Sequence, residues 1–186
     1  MTHGRTALRL LALLLAVSGA SAQDDAAATA GSAPAPARDG RWAAGGDLGW
    51  AFAIDDADGG FLIDGFFEFR QHPNLSWRGM LLATSGKVED DGGRDRDVDL
   101  RVLNGDVVYQ WPGRRVNPFV AAGIGAYRYH WQGGSNYLKF GVNVAGGVNI
   151  PVADRLDVKI EGSLHGTNAS DFDSLFLVSV GLRYRF

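Results

Sequence analysis

The chain is predicted to be all-β, an eight-stranded antiparallel up-and-down barrel that crosses a membrane, and three observations predict it. Over the last stretch, Phe176, Val178, Val180, Leu182, Tyr184 and Phe186 fall on one face of an extended strand, while Ser179, Gly181, Arg183 and Arg185 fall on the other. Such a strand has one face for lipid and one for a polar lumen, which is what a transmembrane barrel requires. Upstream, eight segments of about 9 to 16 residues are separated by turn-forming clusters, and an even number suits a closed antiparallel barrel. Aromatic residues gather near the segment ends, where membrane interfaces favour amphipathic rings.

The amino-terminus is read first as a targeting element. Arg5 and Arg9, the apolar run from Leu8 to Val17, and Ala20-Ser21-Ala22 make the three parts of a signal peptide over residues 1–22. The run is too short to span a bilayer as a helix. Residues 23–40, rich in Ala, Pro, Gly and Asp without apolar period, read as a disordered periplasmic leader. Residues 41–186 are then the barrel.

The whole chain has 18 Lys and Arg against 21 Asp and Glu, a net charge of −3 that becomes more negative once Arg5 and Arg9 are removed. That balance gives no reason to expect nucleic acid as a partner. No cysteine is present, so disulfides and thiol chemistry are excluded and closure of the barrel must constrain the fold.

The segments run Arg41 to Ile54, Phe61 to Arg70, Leu75 to Lys87, Val98 to Trp111, Pro118 to Trp131, Tyr137 to Ile150, Arg155 to His165 and Ser174 to Phe186. The connections His72-Pro73-Asn74, Pro112 to Arg115 and Pro151 to Asp154 are short and proline-bearing, and are read as periplasmic turns. The remaining ones hold most of the Asp and Gly and are read as exterior loops. Their acidic clusters, Asp55-Asp56 with Asp58 and Glu89-Asp90-Asp91 with Asp95 and Asp97, lack EF-hand spacing, so loose divalent bridging to lipid phosphates is expected and no metal site.

Alternation then separates inside from outside. The seventh segment sends Leu156, Val158, Ile160 and Leu164 outward and Asp157, Lys159, Glu161, Ser163 and His165 inward. Extended to the other segments, the rule assigns Asp47, Asp64, Glu68, Arg70, Arg78, Asp106, Arg128, Lys139, Asp157, Lys159, Glu161, Arg183 and Arg185 to the lumen. It places Tyr129 and all five tryptophans, Trp42, Trp50, Trp77, Trp111 and Trp131, on the lipid side. Seven cations face six anions in that set, and an eight-stranded lumen is narrow enough for side chains to fill. Unpaired charge there is expensive, so an ionic network plugging the barrel is expected, with Asp157 opposite Arg183 and Asp47 as a competing partner. A wide porin is excluded by strand number.

Alternation alone also fits a soluble barrel turned inside out; the interfacial aromatics and the terminal Phe186 weigh against it. The segments Asn117-Pro118-Phe119-Val120-Ala121-Ala122-Gly123-Ile124-Gly125 and Ser179-Val180-Gly181-Leu182-Arg183-Tyr184-Arg185-Phe186 resemble the small outer-membrane β-barrel family that includes the OmpA transmembrane domain and the opacity-like proteins. The resemblance implies a Gram-negative outer membrane with lipids and lipopolysaccharide as surroundings. It also implies that Leu182, Tyr184 and Phe186 form an assembly signal for the barrel-assembly machinery. No cofactor is implied. The loops are shorter than those of adhesive relatives.

The expected function is a monomeric structural or surface-interaction protein without catalysis, with a small-solute pore as the alternative. A second alternative is a lipid A-modifying hydrolase. His165-Gly166-Thr167-Asn168-Ala169 is similar to the His-x-Ser-Asn stretch of outer-membrane lipid A deacylases, in which histidine activates a serine. Here Thr167 stands at the serine position, and His165 is expected to point into the lumen, away from a bilayer substrate.

Overall fold

The computed structural model describes residues 40–53, 59–89, 95–113, 115–131, 136–167 and 174–186. The segments read as signal peptide and leader, residues 1–22 and 23–40, lie outside these except for Gly40. Eight strands follow in order: β1 Trp42–Ala53, β2 Gly60–His72, β3 Leu75–Glu89, β4 Asp95–Gln110, β5 Asn117–Trp131, β6 Asn136–Ala153, β7 Leu156–Thr167 and β8 Ser174–Arg185. Each pairs antiparallel with its sequence neighbour, and β1 pairs with β8 to close the barrel. Closure leaves no free edge, so the backbone donors and acceptors of the strands are satisfied within the sheet, as a bilayer demands.

Each expected segment is a strand, its ends shifted by three residues at most. One connection differs. The proline-bearing Pro151 to Asp154 was expected as a turn, but β6 continues through Ala153, with Pro151 opposite Asp157 and a shift of register before Ala153. Pro151 cannot donate to the ladder, and an irregularity of this kind is where a strand tolerates that. The turn itself is Asp154-Arg155. With the Pro73-Asn74 turn and Pro112, Gly113, Arg115 and Val116, it lies at the end of the barrel that holds Trp42 and Phe186, called here the terminal end; the opposite end is the loop end.

Strand parity sorts the side chains. Leu48, Trp50, Ile63, Phe67, Trp77, Leu81, Leu103, Ile124, Phe140, Val142, Val180 and Leu182 are exposed on the outer wall. Trp42 and Trp111 are exposed too, whereas the side chain of Trp131 lies outside the described ones. At the terminal end Trp42 packs on Phe67 and Phe69 at centroid distances of 5.0 and 4.5 Å, Tyr109 on Trp111 at 4.9 Å, and Tyr184 on Phe186 at 5.3 Å. Near the loop end Phe52 and Phe176 stack at 6.4 Å.

Two expectations about the interior are corrected. The lumen is not polar throughout: Ala51, Leu62, Phe66, Met80, Leu82, Val98, Leu100, Val102, Tyr127, Tyr129, Leu175 and Leu177 form one buried apolar cluster toward the loop end. Tyr129 therefore points inward, and Arg128, its neighbour of opposite parity, is exposed on the outer wall instead of lying in the lumen. The cause is visible in β5, where both faces are apolar or small: Phe119, Ala121, Tyr127 and Tyr129 line one, Ala122, Ile124 and Ala126 the other. The inward face is the one whose aromatic rings fill the space that β4 and β8 leave with aliphatic side chains.

Ile160 lies on the outer wall, opposite Val148 on one side and Val180 on the other. Ile160→Arg is expected to cost about 2 to 4 kcal/mol in a lipid-refolding titration, the penalty for a cation near the bilayer midplane. Ser163→Arg, buried on the same strand, should instead vary with the charge and size of its lumen neighbours. A neutral Ile160→Arg would invert the assignment of the two faces.

A candidate functional site in the barrel interior

The terminal half of the lumen holds the charges. Asp47, Asp64, Glu68, Arg78, Asp106, Asp157, Lys159, Glu161, Arg183 and Arg185 are buried, while Arg70 and Lys139 are half-buried at inward positions nearer the two ends. With Arg128 outside, six cations stand against six anions.

One network crosses the whole lumen. Arg78 on β3 donates from Nη1 to Glu161 Oε2 at 2.5 Å and from Nη2 to Oε1 at 3.2 Å, and β7, which carries Glu161, is diametrically opposite in a ring of eight strands. Its Nε donates to Asp106 Oδ2 on β4 at 2.9 Å, and the other oxygen of Asp106 accepts from Asn143 Nδ2 on β6 at 2.9 Å. Lys159 extends the chain, with Nζ 3.1 Å from Glu161 Oε2 and 2.5 Å from Asp47 Oδ2 on β1. The same ammonium sits 4.1 Å from the centroid of Phe66, at the boundary with the apolar cluster. Five strands are thus tied through one guanidinium fork, a geometry that a lysine at position 78 could not reproduce.

A second network lies beside it. Arg183 on β8 donates from Nε to Glu68 Oε2 on β2 at 2.6 Å and from Nη1 to Asp157 Oδ2 at 2.9 Å, and Arg185 Nη2 reaches Asp157 Oδ1 at 2.8 Å. Asp157 and Arg183 are direct partners in the β7–β8 register. Asp47, the competing partner expected for Arg183, is held by Lys159.

Glycines opposite the acids make these seats, a role that was not anticipated. Asp106 faces Gly123 across β4–β5, and Asp47 faces Gly181 across β1–β8. A Cβ at Gly123 would run into Asp106 Oδ1 and a Cβ at Gly181 into Asp47 Oδ1, so the carboxylates occupy space that only glycine leaves. The readable signal is an inward glycine directly across from an inward acid, and it needs the register to be seen.

The candidate hydrolytic residues are placed differently from what ester cleavage in a bilayer needs. His165 is buried in the lumen, its Nδ1 2.8 Å from Tyr127 Oη and its Nε2 3.0 Å from Ser163 Oγ. Both ring nitrogens are thus engaged by hydroxyls. Thr167 shares this inward parity, and Asn168 and Ala169 lie outside the described residues. The acidic clusters weighed for divalent ions also fall on side chains outside those described. Among the described residues no group of three or more His, Asp or Glu is arranged to hold a metal ion.

Arg78→Met leaves Asp106 and Glu161 without their shared cation, and a loss of about 3 to 5 kcal/mol is expected in refolding titrations, the scale for a stranded buried charge. Double-mutant cycles should show coupling for Arg183 with Asp157 and for Lys159 with Asp47, and none for Arg183 with Asp47. Absence of coupling in the first two pairs would refute the network.

The geometry has counterparts among solved structures. Neisserial surface protein A superposes with a TM-score of 0.63 at 18% identity, covering 78% of this chain and 96% of that one. OprG from Pseudomonas aeruginosa gives 0.64 at 9% identity, covering 79% and 96%. The N-terminal β-barrel domain of Pseudomonas aeruginosa OprF gives 0.53 at 17%, covering 79% and 98%. At these identities the likeness is one of fold. No curated protein sequence matches the chain. The model of the outer membrane protein beta-barrel domain matches residues 10–186, nearly the full length. The chain therefore belongs to the outer membrane protein beta-barrel domain family and resides in the cell outer membrane.

Proposed function

We propose that this barrel acts as a monomeric structural or surface-interaction element of the outer membrane, without catalysis, and that its lumen is plugged by its own side chains. The observation that carries the reading is the Arg78–Glu161 contact, which closes the lumen along a diameter between β3 and β7. The apolar cluster toward the loop end supports it, because a water column would have to pass Leu62, Leu82, Leu100 and Tyr127 as well. The non-catalytic part is supported by His165, whose ring nitrogens are taken by Tyr127 and Ser163 inside the lumen. A nucleophile for lipid would need to face the bilayer.

The exposed Leu182, Tyr184 and Phe186 present an unbroken apolar edge at the terminal end, which supports their reading as the signal for the barrel-assembly machinery. Deleting Phe186 should lower outer-membrane yield and raise periplasmic degradation, measured by fractionation and immunoblotting. Unchanged assembly after loss of both Tyr184 and Phe186 counts against that role.

Purified protein in planar bilayers should show no steady single-channel conductance, and Arg78→Ala should open measurable current by removing the diametric contact. Lipid A from overproducing cells should keep its acyl chains in mass spectra. Steady conductance of the unaltered protein would favour the small-solute pore, and loss of acyl chains the hydrolase.

A further inference from the structure

On the outer wall toward the loop end, Arg101 of β4 and Arg128 of β5 are direct partners in the antiparallel register and both are exposed. Directly opposed like charges destabilise a strand pair, and arginines on the lipid side of a barrel are tolerated only near an interface. Among the described residues neither guanidinium has an ion-pair partner. Asp99 and His130, one step farther toward the loops, face each other, and His130 Nδ1 is 2.8 Å from Asn136 Oδ1. The arginine pair thus presents up to ten N–H donors in two planar forks to whatever lies beside the wall.

Its height is fixed by the ladder. Tyr109, in the aromatic belt at the terminal end, is the partner of Val120, and each arginine lies eight residues farther along its strand. At about 3.3 Å per residue and a tilt of about 40°, that is about 20 Å along the normal, near the far edge of an apolar band about 25 Å tall. The arginines therefore sit where the polar head of an outer-leaflet lipid begins.

Below them the wall is hollowed. A groove of about 1010 Å³ runs past Leu103, Ile124, Phe140 and Val142, with Gly105 and Ala126 as a low floor. Ala126 is the direct partner of Leu103, one step beneath the arginine pair on the same face. A cationic fork above an apolar trough of this size is complementary to a molecule with a phosphate at its polar end and acyl chains beneath it.

We propose that Arg101 and Arg128 bind a phosphate of the lipid A part of lipopolysaccharide, with one of its acyl chains lying in the groove between Leu103 and Phe140. The arginines are kept side by side by the phosphate between them, which accepts from both forks. The site is on the outer wall, so it stands on membrane placement and is independent of whether the lumen conducts.

The test is native mass spectrometry of the full barrel released from detergent micelles, titrated with phosphorylated lipid A or with the same lipid A after enzymatic removal of its phosphates. The unaltered protein should retain one phosphorylated molecule at least tenfold more tightly than the dephosphorylated one. In the double variant Arg101→Gln/Arg128→Gln that preference should vanish, while Arg155→Gln at the opposite end keeps it; folding of each variant is verified by heat-modifiable gel mobility. Ala126→Trp, which fills the groove and leaves the arginines in place, should weaken phosphorylated lipid A about tenfold. Equal binding of the two lipids, an undiminished preference in the double variant, or displacement of lipid A by inorganic phosphate at comparable concentration would overturn the proposal.

Discussion

Everything in this molecule depends on the pairing of β1 with β8. Until Ala43 to Ala53 meets Leu175 to Arg185, the sheet has two open edges and no interior. Once the pair forms, eight strands enclose a lumen of fixed width, and each inward side chain must find a partner across a space that side chains alone can fill. The carboxylate of Asp47 meets Lys159 only because β1 has been brought round to lie two strands from β7. Glu68 and Arg183 likewise face each other across the seam. Closure and charge pairing are one event seen from the backbone and from the side chains.

The interior is layered for a physical reason. Charges in low dielectric are tolerable when paired and hydrogen-bonded, so they are concentrated where several strands supply partners at once: Arg78 takes two acids, and Asp157 takes two arginines. Toward the loop end the space is filled by aliphatic and tyrosine side chains, whose hydroxyls need only local partners. Tyr127 finds one in His165, which in turn meets Ser163 on its own strand. Lys159, lying against Phe66, marks the level at which one kind of filling gives way to the other.

Much of this was legible in the residues. Strands such as β7, with Asp157, Lys159 and Glu161 alternating against Leu156, Val158 and Ile160, state their orientation outright, and the terminal strand does the same. Antiparallel pairing of the last two segments through the loop from Gly166 to Asp173 placed Asp157 against Arg183, as the β7–β8 register has it. The strand that misled was β5, since period two carries no sign when both faces are apolar or small. A ring at Tyr129 reads as an interfacial anchor from sequence, whereas the filling of the lumen, a property of all eight strands together, turns it inward and sends Arg128 out. The Gly123–Asp106 and Gly181–Asp47 seats were hidden for a related reason: a glycine's missing side chain has meaning only beside the residue across the ladder.

The apolar cluster over the charged network makes the barrel electrically one-sided. Mobile ions screen a charge only where they can approach it, and within about 10 Å at moderate salt. From the loop end, Leu62, Leu82, Leu100, Val102, Leu175 and Leu177 stand between bulk solution and the nearest acid–base pair. From the terminal end, Arg185 and Asp157 lie close to the mouth. The ion pairs are thus shielded from mobile ions at the loop end and approached by them from the terminal end, so that the salt on that one side alone sets how strongly the network is screened.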